Sequence, residues 1–186
     1  MNEAVLYEGC LAYAIEEPAL RRIMEARARV LLHHPEAPLH LQLPPHVTVK
    51  YLGHQPLSIH TELRREIQNL SPERFVVTIS ESDVFYHSDG TFNLNVRLQQ
   101  HSALLALQQA AGTSMRKCGC VDHDKFTGIN YRPHITVADG VRAVNVAEDL
   151  AGLEELVGTS VELSTLILLR KPCDEAILPE VVARWS

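Results

Sequence analysis

No stretch of this chain approaches the ~18 uninterrupted apolar residues of a membrane-spanning helix, although 46% of its 186 residues are hydrophobic. The opening Met1-Asn2-Glu3-Ala4-Val5 has neither the basic segment nor the apolar stretch of a secretory signal. A soluble, cytoplasmic protein with no membrane partner is expected. Positive charge is also short: 17 Lys and Arg against 23 Asp and Glu leave a formal charge of −6. Affinity for long duplex nucleic acid comes from basic residues displacing counterions, so indiscriminate gripping of a duplex is excluded. A small or end-on phosphate ligand needs only a local positive spot.

Cysteine is sparse as well. Cys10, Cys118, Cys120 and Cys173 make no disulfide-dense framework, and a reduced compartment is the simpler assumption. The run from Cys118 through Cys120 to His123 has spacing that could ligate zinc, but a structural site needs four ligands and no second cluster accompanies it. Ordinary loop thiols are expected, with no metal and no cofactor. The chain lacks low-complexity segments and linkers, and its length suits one domain, so residues 1–186 are read as a single domain and taken as a monomer.

What the chain does contain is a short pattern written twice. His46-Val47-Thr48-Val49 and His134-Ile135-Thr136-Val137 each place a histidine and a threonine two residues apart in an apolar, β-branched run. Successive side chains on a strand point to opposite faces, so each copy aims its imidazole and hydroxyl at one surface and its apolar residues at a core. Two histidines facing one space suit acid–base chemistry on a phosphodiester: a neutral imidazole takes a proton from the nucleophile and a protonated one gives a proton to the leaving oxygen. The threonine hydroxyls can donate to the non-bridging phosphate oxygens. Thus His46, Thr48, His134 and Thr136 are the candidate catalytic residues.

The fuller runs His46-Val47-Thr48-Val49-Lys50-Tyr51-Leu52-Gly53 and Tyr131-Arg132-Pro133-His134-Ile135-Thr136-Val137 closely resemble the signatures of the 2H phosphoesterase superfamily, in its 2′-5′ RNA ligase-like and cyclic phosphodiesterase branch. Tyr13-Ala14-Ile15-Glu16-Glu17-Pro18 is similar to that family's first strand and helix entry. The resemblance implies two lobes related by a pseudo-twofold, with the histidines facing each other across a cleft. It also implies hydrolysis that expels a 3′ oxygen and leaves a 2′-phosphate, or reversible ATP-independent 2′-5′ joining in some members.

Periodicity and turn signals give strands over 10–15, 46–52, 75–85, 91–98 and 161–169, and helices over 18–32, 58–70, 102–116 and 146–156. Ser58 is the expected cap of the second helix, and Ser88-Asp89-Gly90 marks a hairpin. In the first helix Leu20, Ile23, Met24, Arg27, Val30 and Leu31 recur at helical spacing, with Arg21, Arg22, Arg27 and Arg29 expected mainly on its solvated face. This order predicts an α+β fold with two similar halves, and the resemblance implies that these are two lobes, each a mainly antiparallel sheet with flanking helices, around a central cleft.

Strand parity puts Lys50 on the face of His46 and Thr48, and Arg132 on that of His134 and Thr136 if the strand extends through Pro133. Both are candidate substrate-binding residues, set against the reading of a solvated charge at a strand edge. Tyr13 and Tyr131 are candidates for stacking a base, against the commoner fate of a strand aromatic in the core. Of the other histidines, His87 beside Tyr86 is the best placed for a substrate-facing loop.

These residues lead to a metal-independent phosphodiesterase acting on an RNA end or a small cyclic nucleotide, most simply opening a 2′,3′-cyclic phosphate. The alternatives are a hydrolase of cyclic oligonucleotide signals, of the kind found among immune-evasion members of the superfamily, a 2′-5′ RNA ligase or 2′-5′ phosphodiesterase, and a module that binds a nucleotide without turnover.

Overall fold

Strand parity and helical spacing assign a face to each segment of this chain, and a computed structural model shows how those faces meet. The structure describes residues 6–37, 43–70, 73–120, 127–142, 146–173 and 180–186. The elements run β1 (Leu6–Ala14), α1 (Ala19–His33), β2 (His46–Pro56), α2 (Leu57–Ile67), β3 (Phe75–Tyr86), β4 (Thr91–Leu98), α3 (Ser102–Lys117), β5 (His134–Arg142), α4 (Val146–Leu153), β6 (Ser160–Leu163), β7 (Leu166–Pro172) and β8 (Glu180–Trp185). Among the described residues, eight strands lie in one sheet of order β6-β3-β4-β5-β2-β1-β7-β8. Every pairing in it is antiparallel.

The order reads as two four-strand halves joined at the centre, β2-β1-β7-β8 and β5-β4-β3-β6. Each half supplies one strand-helix-strand unit, β1-α1-β2 or β4-α3-β5, and the helices are exchanged: α1 packs against β5 and α3 against β2. Ala19, Ile23, Ala26 and Val30 form the buried stripe of α1, at the spacing an amphipathic helix needs. The core lies between this helical layer and one face of the sheet, and includes Leu11, Tyr13, Val47, Val49, Ile135 and Val137. The expected α+β architecture of antiparallel sheet and flanking helices is what the structure has.

Three local expectations are corrected. The segment 161–169 is not one strand, because the chain crosses at Ser164-Thr165 from one half to the other, where both hydroxyls donate to the Glu16 carboxylate. The tail adds an unforeseen strand, β8, paired with β7. Helix α2 starts at Leu57 behind an extended Pro56, with no side-chain cap, so Ser58 does not close its N-terminus.

Candidate active site

The two motif strands meet at the seam of the sheet, where Val47 and Ile135 form the one register pair between β2 and β5. Parity then puts His46, Thr48, His134 and Thr136 together on the open face, each half-buried, while the intervening valines and isoleucine enter the core. Both imidazoles are fixed in the same way. The Nδ1 of His46 lies 2.8 Å from the Pro44 carbonyl, and that of His134 lies 2.9 Å from the Arg132 carbonyl. A carbonyl only accepts, so each Nδ1 carries the hydrogen and each neutral ring keeps its lone pair on Nε2. The structure thus presents two bases of one tautomer on one face.

An irregularity in each motif strand changes this parity further along. On β2, Ala12 pairs with Thr48 and Leu11 with Lys50, leaving Val49 as an extra residue. On β5, Asn95 pairs with Thr136 and Leu94 with Ala138, leaving Val137 as an extra residue. Each is a β-bulge, and a bulge reverses parity beyond it. The third residue after each threonine, Tyr51 or Asp139, therefore joins the site face. Lys50 goes the other way: it is 1% exposed and lies beside Gln108, Thr113 and Arg116 of α3. The expectation that Lys50 shares the face of His46 fails for this reason.

The other candidates divide. Tyr13 is fully buried in the core, edge-on to Phe75, so it stacks no substrate. Tyr131 is buried with its hydroxyl donating to the Thr48 carbonyl at 2.7 Å, and its ring lines the cleft. Arg132 precedes β5, is exposed, and lines the same part of the cleft. His87 bonds Asn93 Oδ1 at 2.9 Å on the hairpin. Arg27 is 6% exposed, not solvated. Its guanidinium donates to the carbonyls of Val137 (2.6 Å), Leu43 (2.6 Å) and Thr136 (3.0 Å). The one sequence clue was its place within the apolar stripe of α1.

The cleft has two compartments with unlike walls. Beside His46 and Thr48 a space of about 360 Å³ is lined by Glu8, Cys10, Asp139, Arg170 and Lys171. Beside His134 a space of about 410 Å³ is lined by Tyr51, Phe85, Tyr86, Tyr131 and Arg132. Thr48 and Tyr51 border both. Phe85 meets the His134 ring edge-on at 4.7 Å. The threonines also differ: Thr136 Oγ1 donates to Oδ1 of the fully buried Asn95 at 2.9 Å, whereas Thr48 has the Cys10 thiol for its neighbour. Burial pushes that thiol up to about 12, so it stays neutral and a weak partner.

A model of the 2′-5′ RNA ligase superfamily matches residues 15–172 of this chain, spanning both motifs. The chain belongs to that superfamily. Solved structures agree in fold: TT0787 of Thermus thermophilus superposes with a TM-score of 0.65 at 18% identity, covering 96% of this chain and 97% of its own. E. coli LigT, solved with 3′-AMP, gives 0.62 at 19% identity over 97% of each chain, and Kluyveromyces marxianus Usb1 gives 0.51 at 14% over 92% and 96%. No curated protein sequence matches significantly. The family read from the paired motifs is thus confirmed.

In this member of the superfamily, burial is the main reason the His46 pKa lies below its usual 6.5, and the nearby charges of His134 and Arg27 push it the same way against the Pro44 carbonyl. Burial likewise lowers His134, helped by Arg97 and opposed by the Arg132 carbonyl and Asp83. A proton on His134 thus discourages one on His46, which favours a singly protonated pair. Asp139 is shifted upward, chiefly by burial. Among the described residues no group of three or more His, Cys, Asp or Glu stands ready to hold a metal ion; His123 lies outside them. No described helix is long and apolar enough to cross a membrane.

Proposed function

We propose that this chain is a phosphodiesterase of RNA ends or small nucleotides, acting most simply on a 2′,3′-cyclic phosphate. The observation that carries the reading is the matched pair of imidazoles, each with Nδ1 committed to a backbone carbonyl and Nε2 left for proton transfer. In the reaction, one Nε2 takes a proton from water as its oxygen bonds to phosphorus. The bond from phosphorus to the ribose 3′ oxygen breaks, and that oxygen takes the proton from the other Nε2. The product is a 2′-phosphate beside a free 3′ hydroxyl. Thr48 donates to a non-bridging oxygen as charge builds there, and Thr136 does the same once its hydroxyl turns from Asn95 Oδ1 to the phosphate. Proton transfer and charge stabilisation are both supplied by side chains, so no metal is required.

The phosphodiester anion also sets the resting pair to work. Burial makes both imidazoles resist protonation, and a phosphodiester's negative charge between them raises the affinity for the one proton the acid must carry. The aromatic compartment beside His134 suits a nucleobase, with the Tyr51, Phe85 and Tyr86 rings to stack on and Arg132 at its edge. The 3′-AMP complex of LigT supports a nucleotide ligand.

A second reading, cleavage or joining of a 2′-5′ linkage, is favoured by the polar compartment on the opposite side, which leaves room for a group beyond the phosphate. One assay separates them: 2′,3′-cyclic nucleotides, cyclic-phosphate-ended RNA, 2′-5′ oligoadenylates and cyclic dinucleotides offered in parallel, with product analysis. Rapid opening of the cyclic phosphates to 2′-phosphates is the expected result. Turnover confined to another member of the panel replaces the substrate, and binding without turnover of any removes the enzyme.

A further inference from the structure

We propose that Arg27 and Tyr131 are paired positioning residues that pin β2 and β5 together and so set the separation of the two imidazoles and the two threonine hydroxyls. The proposal rests on the reading of the cleft as a phosphodiesterase site. The seam needs such pins: Val47 with Ile135 is its one register pair, whereas β1 pairs with β2 along its whole length, from Leu6 to Ala14. Thr48 and Thr136 each precede a bulged valine, and a bulge leaves backbone groups outside the regular ladder that must find other partners.

Both carbonyls do find them, from side chains. The Thr48 carbonyl takes the Tyr131 hydroxyl at 2.7 Å, and the Thr136 carbonyl takes Arg27 Nη2 at 3.0 Å. Each pin also spans the seam. Tyr131 leads into β5 yet bonds β2, and Arg27 bonds β5 at Thr136 and Val137 while its third donor holds Leu43, three residues before His46. A guanidinium at this depth is costly unless its donors are met, and only its planar fork reaches three carbonyls on two segments. Since Asp139 and Tyr51 face the cleft because of the same bulges, the pins orient them too.

The test uses Tyr131→Phe, which keeps the ring in the cleft wall and removes one hydroxyl, and Arg27→Lys, which keeps the charge and loses the fork. Steady-state kinetics on a 2′,3′-cyclic nucleotide should show kcat reduced about 5- to 100-fold, the scale of an ångström-sized misplacement, with KM within about twofold. Amide exchange read in the same proteins should quicken at 47–49 and 135–137 and stay unchanged between β1 and β7 and between β3 and β4. Wild-type kcat in both variants overturns the proposal. So does exchange that is unaltered at the seam or raised equally throughout the sheet, which marks a role in stability alone. Should the unmodified enzyme turn over no phosphodiester, that outcome counts against the proposed function, and the exchange pattern decides the pins by itself.

Discussion

The two motif strands share a backbone and differ in almost everything attached to it. Both run histidine, core residue, threonine, bulged valine, core residue, site residue, and both hold Nδ1 with the carbonyl two residues back. Around that frame, Thr48 has a thiol for a neighbour and Thr136 a buried amide, the bulge is followed by Tyr51 or Asp139, and the adjoining walls are polar beside His46 and aromatic beside His134. In the proposed reaction the likeness lies where protons would move, since the two histidines would exchange roles if that reaction ran in both directions. The unlikeness lies where a substrate must be told which end is which.

Breaking the shared frame should have the largest effect. Either His46→Ala or His134→Ala is expected to lower kcat about 100- to 10,000-fold, because neither imidazole can do both proton transfers; near-normal turnover in one variant would remove that histidine from the chemistry. The threonines come next and sharpen the comparison. Thr48→Val and Thr136→Val keep shape and β-propensity while deleting a donor, and about 10- to 1000-fold in kcat is expected from a lost oxyanion contact. The Thr48 variant should be the worse, since a neutral thiol leaves its hydroxyl proton for phosphate while Asn95 already claims that of Thr136. Circular dichroism alongside the kinetics checks that the strands survive.

Smaller effects test the walls. Tyr86 is 73% exposed at the rim of the aromatic compartment, and Tyr86→Ala should raise KM about 5- to 30-fold for a base-bearing substrate, the value of one stacking platform, with kcat little changed. For pH, the lowered histidine pKa values place the kcat/KM optimum on the acid side of 6.5, the usual value, because the acid must be protonated. The same shifts act on stability. Between the folded values and 6.5 the unfolded chain binds more protons, so stability conferred by keeping His46, His60 and His134 neutral is complete above 6.5 and is lost as pH falls through the folded values. Urea unfolding at pH 5.5 and 7.5 measures it. The smallest effect expected is that of excess EDTA: none on turnover, and loss restored by a divalent ion would overturn metal-free catalysis.

The histidines and threonines were legible because a period of two suffices to place them, and the core positions 47, 49, 135 and 137 follow from the same count. Lys50 was not, because a bulge at an ordinary valine leaves no glycine or proline to announce it. The second strand did carry a trace: the adjacent apolar pair Val137-Ala138 followed by Asp139 breaks the alternation, whereas Lys50 hides the same break on the first. Arg27, expected on the solvated face of α1, is buried for another reason. Its burial is set by three carbonyls distant in the chain, and helix periodicity treats an arginine as solvated whatever lies opposite. Strand β8 is fixed by pairing with β7 and by Val182, Ala183 and Trp185 packing on the core, tertiary contacts that local alternation does not announce.

The crossing at Ser164-Thr165 makes the halves interdependent in a way their likeness conceals. The half that carries the first motif is completed by β7 and β8, so Tyr13 waits for Leu166. Closing that contact joins segments far apart in the sequence, a topology that folds slowly and leaves the outer edge of β1 bare until β7 has been made. A chain cut before the crossing would retain both histidine-threonine motifs and still present an open, apolar strand edge to its neighbours.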